Sequence, residues 1–198
     1  MPRSSPLWLT DFTAVPAAER RAARYGLQLV LGDRAALAQL AGEPSRPMGL
    51  HGGDLLGALW QLSRPLLDPE AVARSLTVRR NREEPRDWLD DDDDEPSLGH
   101  DSVLRARLRG LFAATPRAVL RRLAAADGLA PVSATVKVLG EGLGLDAGSL
   151  RVLDFLDLYE TSEPLRLVLR ACGTQRAQVN GARLAAALGL TEAVLRAT

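Results

Sequence analysis

The sequence predicts an all-α fold, a multi-helix domain whose C-terminal part is helix-turn-helix-like. Three observations predict it. Hydrophobic residues make up 46% of the 198, yet the aromatics are only three Trp, two Tyr and three Phe. Leu, Ala and Val must therefore do the packing, and such a core suits helices better than sheets. Apolar positions recur at helical spacing and close on Gly or Pro. Finally, the pattern Leu-Gly-Leu-Asp/Thr-x-x-x-Leu-Arg occurs twice, at Leu143 to Arg151 and at Leu188 to Arg196. In each copy an apolar segment closes on Gly144 or Gly189, a Leu follows, and Asp146 or Thr191 stands where an N-cap opens the next helix.

The first elements follow from their punctuation. Pro16 takes a first-turn position, Ala17 to Leu31 carry helical spacing, and Gly32 ends the run. Asp33 caps a short successor to Leu40 that stops at Gly42, and Glu43-Pro44-Ser45-Arg46-Pro47 cannot stay helical. Leu55, Leu56, Leu59, Trp60 and Leu62 form the next apolar stripe, and Asp68-Pro69-Glu70 starts a helix through about Leu76.

Residues 79–101 differ from the rest. Arg79-Arg80-Asn81-Arg82 leads through Glu83-Glu84-Pro85 into Asp90 to Asp94 and Glu95. An unbroken Asp run points its carboxylates in all directions, whereas a calcium loop alternates acids and turns on a Gly, so the segment reads as a solvated linker rather than a metal cluster or nucleic-acid mimic. The chain thus divides into an N-terminal helical part (1–78), a charged acidic linker or loop (79–101) and a C-terminal helical, helix-turn-helix-like part (102–198). Whether the two helical parts share one core is left open.

In the C-terminal part Val103, Leu104, Leu108, Leu111 and Phe112 share a helix face, and Thr115-Pro116 supplies an N-cap and first-turn proline. Gly128 closes the following helix and Pro131 helps to start another. Asp146 to Leu158 carries a leucine stripe, Pro164 opens a helix through Ala171, and Asn180 caps the helix that ends at Gly189. About seven short helices result. A second echo, Arg-Leu-Ala-Ala-Ala at 122–126 and 183–187, is separated by 61 residues where the first pattern is separated by 45, so one repeating unit is not expected.

The search for chemistry eliminates more than it finds. A P-loop needs Lys and a hydroxyl after its glycines, but the single lysine, Lys137, lies in Thr-Val-Lys-Val-Leu. Gly140-Glu141-Gly142-Leu143-Gly144 follows no strand and fits a loosened helix end. His51, His100 and Cys172 make no zinc spacing, and no Gly-x-Ser-x-Gly elbow occurs. Cys172 on an apolar helix reads as core. Asp154, Asp157 and Glu160 recur every three residues and read as a solvated stripe opposite the leucines. No catalytic, cofactor-binding or metal residue is expected, and no cofactor in this chain.

Charge sums to zero but is segregated. Residues 102–126 hold Arg105, Arg107, Arg109, Arg117, Arg121 and Arg122 without an acid, residues 127–163 are acidic, and residues 164–198 return to basic. Candidate contacts to a partner or to phosphate are Arg105, Arg109, Arg117, Arg121, Arg166, Arg170, Arg176 and Arg183. The interleaved aromatics of a single-strand binder are missing. No signal-peptide stretch and no run near the ~18 apolar residues of a membrane span occurs, so a cytoplasmic protein without a membrane partner is expected.

From Leu129 onward, through Leu143-Gly144-Leu145-Asp146, Leu150 to Leu158 and Val179 to Arg196, the chain resembles the Leu-rich, winged-helix-like region that precedes the ATPase core of large bacterial AAA-type ATPases. The resemblance covers about a third of the chain and rests on degenerate motifs. It implies a non-catalytic regulatory or substrate-docking module whose partner is a protein or the parent's own ATPase core. The P-loop would then lie downstream of Thr198 and oligomers would form through the parent. Asn180 to Leu188 and Thr191 to Ala197 would be the two helices of a helix-turn-helix. The alternative is a DNA-binding regulator reading bases through Gln175, Gln178, Asn180 and Thr191.

Overall fold

Helix α1 (Ala17–Leu31) is enclosed on nearly every side, and the other elements are arranged around it. The computed structural model describes residues 7–41, 52–72, 102–128, 133–172 and 177–197. Around α1 stand α2 (Arg34–Ala41), α3 (Gly52–Ser63) with a single 3-10 turn at Arg64–Leu66, α4 (Ser102–Ala113) and α5 (Arg117–Asp127). They are followed by α6 (Ala134–Leu143), α7 (Ala147–Thr161), α8 (Glu163–Cys172), α9 (Ala177–Leu188) and α10 (Glu192–Ala197). The fold is all-α, with no strand among the described residues. None of these helices is long and apolar enough to cross a membrane.

α1 packs on α2, α3, α5, α8 and α9, and α3 packs closely on α8. Gly26 makes the crossing with α3 tight, since a Cβ there would lie 2.7 Å from Leu62 Cδ1. One buried cluster runs from Trp8 and Phe12 through Tyr25, Leu59 and Leu66 to Phe112, Leu123, Phe155, Leu165 and Leu188. The described residues before and after the acidic segment therefore share a single core. The N-terminal segment is tied in by backbone bonds, Leu9 N to Leu66 O at 3.0 Å and Asp68 N to Leu7 O at 3.0 Å, around an isolated bridge between Trp8 and Leu67.

Most expected helix ends are found. Asp33 Oδ1 accepts from Ala36 N at 3.4 Å, and Asp68 Oδ1 accepts from Glu70 N at 3.0 Å to open a helical turn at residues 69–72. Two ends differ. Thr115 does not cap α5: its hydroxyl turns back to the Leu111 carbonyl at 3.1 Å, and Pro116, in an extended conformation, precedes the first helical residue. Asn180 is not the N-cap residue, because α9 starts at Ala177, three residues earlier. Gly42, the Asp90 to Glu95 run, His51, His100 and Pro131 lie outside the described residues.

The duplicated pattern gives two corners with one geometry. Gly144 and Gly189 adopt φ of 62° and 67°. Leu145 N donates to Gly140 O at 3.0 Å and Leu190 N to Ala185 O at 2.8 Å, the six-residue closure of a left-handed helix end. Asp146 Oδ1 then accepts from Ser149 N at 2.7 Å, and Thr191 Oγ1 from Val194 N at 3.3 Å. Local sequence alone specifies this geometry, since only Gly takes positive φ without a Cβ penalty and a short oxygen-bearing side chain satisfies the next free N–H.

Backbone conformation predicts opposite effects for two glycine substitutions, one at a corner and one inside a helix. Gly189→Ala should cost about 1–2 kcal/mol, because an L residue is strained at φ of 67°. Gly110→Ala should stabilise by about 0.5–1 kcal/mol, since it sits inside α4 with nothing within 4 Å of its added Cβ. Urea denaturation followed by circular dichroism checks both.

Candidate functional site

Three arginines of α1 meet two aspartates in the interior. Arg20 donates through Nη1 to the carbonyls of Phe12, Thr13 and Val15 at 3.1, 3.2 and 2.6 Å, and through Nη2 to Ala126 O at 3.1 Å. Its Nε lies 3.5 Å from Asp127 Oδ1. Arg21 Nη1 reaches Asp154 Oδ2 at 2.5 Å and its Nη2 donates to Asp127 O at 3.0 Å. Arg24 Nε stands 2.8 Å from Asp127 Oδ2, an ion pair by distance without an aligned hydrogen bond, and its guanidinium lies 4.8 Å from the centre of the Tyr25 ring. Tyr25 in turn meets Phe155 edge to face at 5.6 Å.

Asp154 and Asp127 are both almost wholly buried. The solvated stripe expected at Asp154, Asp157 and Glu160 is thus corrected at its first member: Glu160 is exposed, Asp157 is half-buried, and Asp154 faces Arg21 in the core. The physical reason is the partner on α1, which lets a carboxylate occupy a position that burial would otherwise forbid. Burial pushes the Asp127 carboxyl above the ordinary aspartate range, opposed by Arg24, Arg21 and Arg20. The gap beside Arg21, Arg24, Asp154 and Gly128 holds only about 20 Å³, so this network acts as a structural tie rather than a substrate site.

Two further arginines join the outer elements. Arg151, the last residue of the first duplicated pattern, donates to Leu188 O at 3.3 Å and Gly189 O at 3.4 Å, the carbonyl end of α9 in the second copy. A cation suits a helix C-terminus, where carbonyls lack donors. Arg183 Nη1 bonds Asp33 Oδ2 at 2.7 Å and Cys172 O at 2.9 Å, linking the α1–α2 turn, the end of α8 and α9. The core position expected for Cys172 is found, and its thiol is pushed up to about 12, first by burial and next by Asp33.

Between α1, α5, α9 and α10 lies an open cleft of about 750 Å³. Leu29, Leu31, Leu120, Ala182, Ala186 and Ala187 give it apolar walls, and Gln28, Arg183, Glu192 and Arg196 its polar groups. Its charges are already matched: Arg183 by Asp33, and Arg196 by Glu192 one turn away on α10. Among the described residues no group of three His, Cys, Asp or Glu is placed to hold a metal.

The eight arginines expected at a partner surface are spread over the fold. Arg117 and Arg121 stand exposed one turn apart on α5. Arg109 is half-buried on α4 and Arg170 exposed on α8, while Arg166 donates to Glu160 O at 3.0 Å. Of the eight, Arg183 lines the cleft. Arg176 and the side chain of Arg105 lie outside the described residues. Sequence reasoning missed Arg20, Arg21, Arg24, Asp127 and Asp154. The available signal was the cluster of three arginines on α1, a helix that apart from Glu19, Tyr25 and Gln28 is otherwise apolar.

The network predicts two stability effects. Asp154→Ala should cost about 3–5 kcal/mol, because it leaves Arg21 buried beside a lost carboxylate. For Asp127 the raised pKa means that the folded chain holds the proton more tightly than the unfolded chain. Its contribution is therefore full below the ordinary aspartate range and declines as pH rises through the raised value. The stability gap by which wild type exceeds Asp127→Asn should narrow as pH rises above the ordinary aspartate range, measured by urea denaturation at each pH. A gap that widens would mean that the arginines outweigh desolvation.

Comparison with protein-family models, curated proteins and solved structures gives no match to this chain.

Proposed function

We propose that the chain is a non-catalytic helical docking module, the N-terminal regulatory or substrate-docking part of a larger bacterial AAA-type ATPase. The observation that carries docking is the open cleft of about 750 Å³ with apolar walls and internally matched charges. A phosphate-binding groove presents unmatched cations, whereas a groove for an apolar peptide segment presents Leu and Ala with polar groups at its edge. The link to an ATPase rests on the resemblance of the segment from Leu129 onward. It leads to the expectation that the reading frame continues past Thr198 into a Gly-x-x-x-x-Gly-Lys motif.

The alternative, a DNA-binding regulator, is favoured by one observation, the exposed pair Arg117 and Arg121 on a helix without acids before Asp127. Against it stands the second helix of the C-terminal corner. α10 is six residues long, its Arg196 is paired with Glu192, and Thr191 is occupied as the N-cap. A reading helix needs several polar side chains directed at base edges.

Fluorescence anisotropy of labelled random duplex DNA separates the readings. The docking reading predicts no saturable binding at low salt. Micromolar binding that weakens steeply with salt, and is lost when Arg117 and Arg121 become Ala, would replace it with the DNA-binding reading.

A further inference from the structure

The gap of about 20 Å³ beside the buried network is walled by Gly128, Leu150 and the side chains of Arg21, Arg24, Tyr25, Arg151 and Asp154. It is too tight for a substrate but has room for one water-sized occupant. Charge around it is unbalanced. Arg20, Arg21 and Arg24 face two carboxylates, Asp127 and Asp154, and Arg151 adds a cation that pairs with no carboxylate among the described residues. The Leu188 and Gly189 carbonyls hold Arg151 Nη1, which orients the guanidinium without neutralising it.

Hydrogen bonding at the gap is unbalanced in the same sense. Tyr25 is wholly buried, yet its hydroxyl has no partner among the described residues. Burial pushes this phenol above its ordinary value, opposed by Arg24 and Arg21, so at neutral pH it keeps its proton and can donate. The charges that act on it, those of Arg24, Arg21 and Asp154, are the ones that line the gap. Arg24 pairs with Asp127 by distance, Nε to Oδ2 at 2.8 Å, without an aligned hydrogen bond. Asp154, the carboxylate at the gap, is engaged by Arg21 Nη1 at 2.5 Å.

A buried donor without an acceptor points to a bound water or ion. Water would meet the hydroxyl and leave the excess positive charge in place, whereas a small anion answers both demands. Oxyanions such as sulfate and phosphate exceed the volume. We propose that the gap between α1 and α7 is a halide site, where chloride accepts from the Tyr25 hydroxyl and stands against the guanidiniums of Arg24 and Arg151. The ion is structural: it neutralises charge where α1, α7 and the end of α5 meet. This goes beyond the docking cleft and holds whatever that cleft binds.

Urea denaturation of the full 198-residue chain at neutral pH tests it, with sodium chloride exchanged for sodium gluconate at constant ionic strength. A ligand of the folded state multiplies the folded-to-unfolded ratio by one plus its concentration over Kd, about elevenfold at ten times Kd. The expected result is therefore a stability that rises with the logarithm of chloride, that bromide reproduces, and that gluconate does not. Tyr25→Phe removes the hydroxyl and keeps the ring against Phe155. It should weaken the halide about tenfold, the loss of one hydrogen bond to a charged acceptor, and stay close to wild type in gluconate. A bromide-soaked crystal should show an anomalous peak between the Tyr25 hydroxyl and the Arg24 and Arg151 guanidiniums. Equal stability in chloride and gluconate overturns the proposal and leaves water in the gap. A chloride response unchanged in Tyr25→Phe, or bromide found only at surface arginines, overturns it as well. Should the variant not fold, the bromide position decides. None of these outcomes depends on whether the cleft takes a peptide.

Discussion

Helix α1 carries cations into the interior, and the rest of the fold is arranged to receive them. Burying an arginine without acceptors costs far more than a small domain's net stability, so each guanidinium must find oxygen. Arg20 is met by four backbone carbonyls and a carboxylate, and Arg21 by Asp154 and the Asp127 carbonyl. These acceptors come from the segment before α1, the end of α5 and the middle of α7. Leucines would bury α1 at many angles and registers. The ion pairs admit one, because they fix the end of α5 and one turn of α7 against particular positions of α1.

The duplicated corner shows where local sequence stops deciding. Both copies reach the same dihedral angles, hydrogen bonds and N-cap from a few residues each. What they do next depends on position in the chain. The second copy lies against α1 and loses its leucine to the core, while the first leans on α7 and leaves its leucine outside. The copies are also joined. Arg151 closes the carbonyl end of α9, and Gly148 admits Val194, whose Cγ1 would lie 2.8 Å from a Cβ there.

The all-α class was legible because Gly, Pro and cap residues punctuate nearly every helix, and such signals act within a few residues. Asp33, Asp68, Asp146 and Thr191 each bond the N–H that their position requires. Asn180 misled because a good capping residue is tolerated in a first turn when Ala177 can start the helix earlier. Asp154 misled for a different reason. Its three-residue spacing with Asp157 and Glu160 is a true helix face, but Arg21, 133 residues away in sequence, determines that its first member is buried. The cleft was illegible on the same grounds, since its walls come from four helices and no motif records their meeting.

The separation between these partners also has a consequence in time. Ribosomal synthesis proceeds at about 5–20 residues per second, so Arg21 leaves the ribosome on the order of ten seconds before Asp154 exists to meet it. Arg20 and Arg24 meet Asp127 earlier, and Arg21 is the member of the three whose carboxylate comes last. The helix made first is thus completed by a partner that comes late in synthesis.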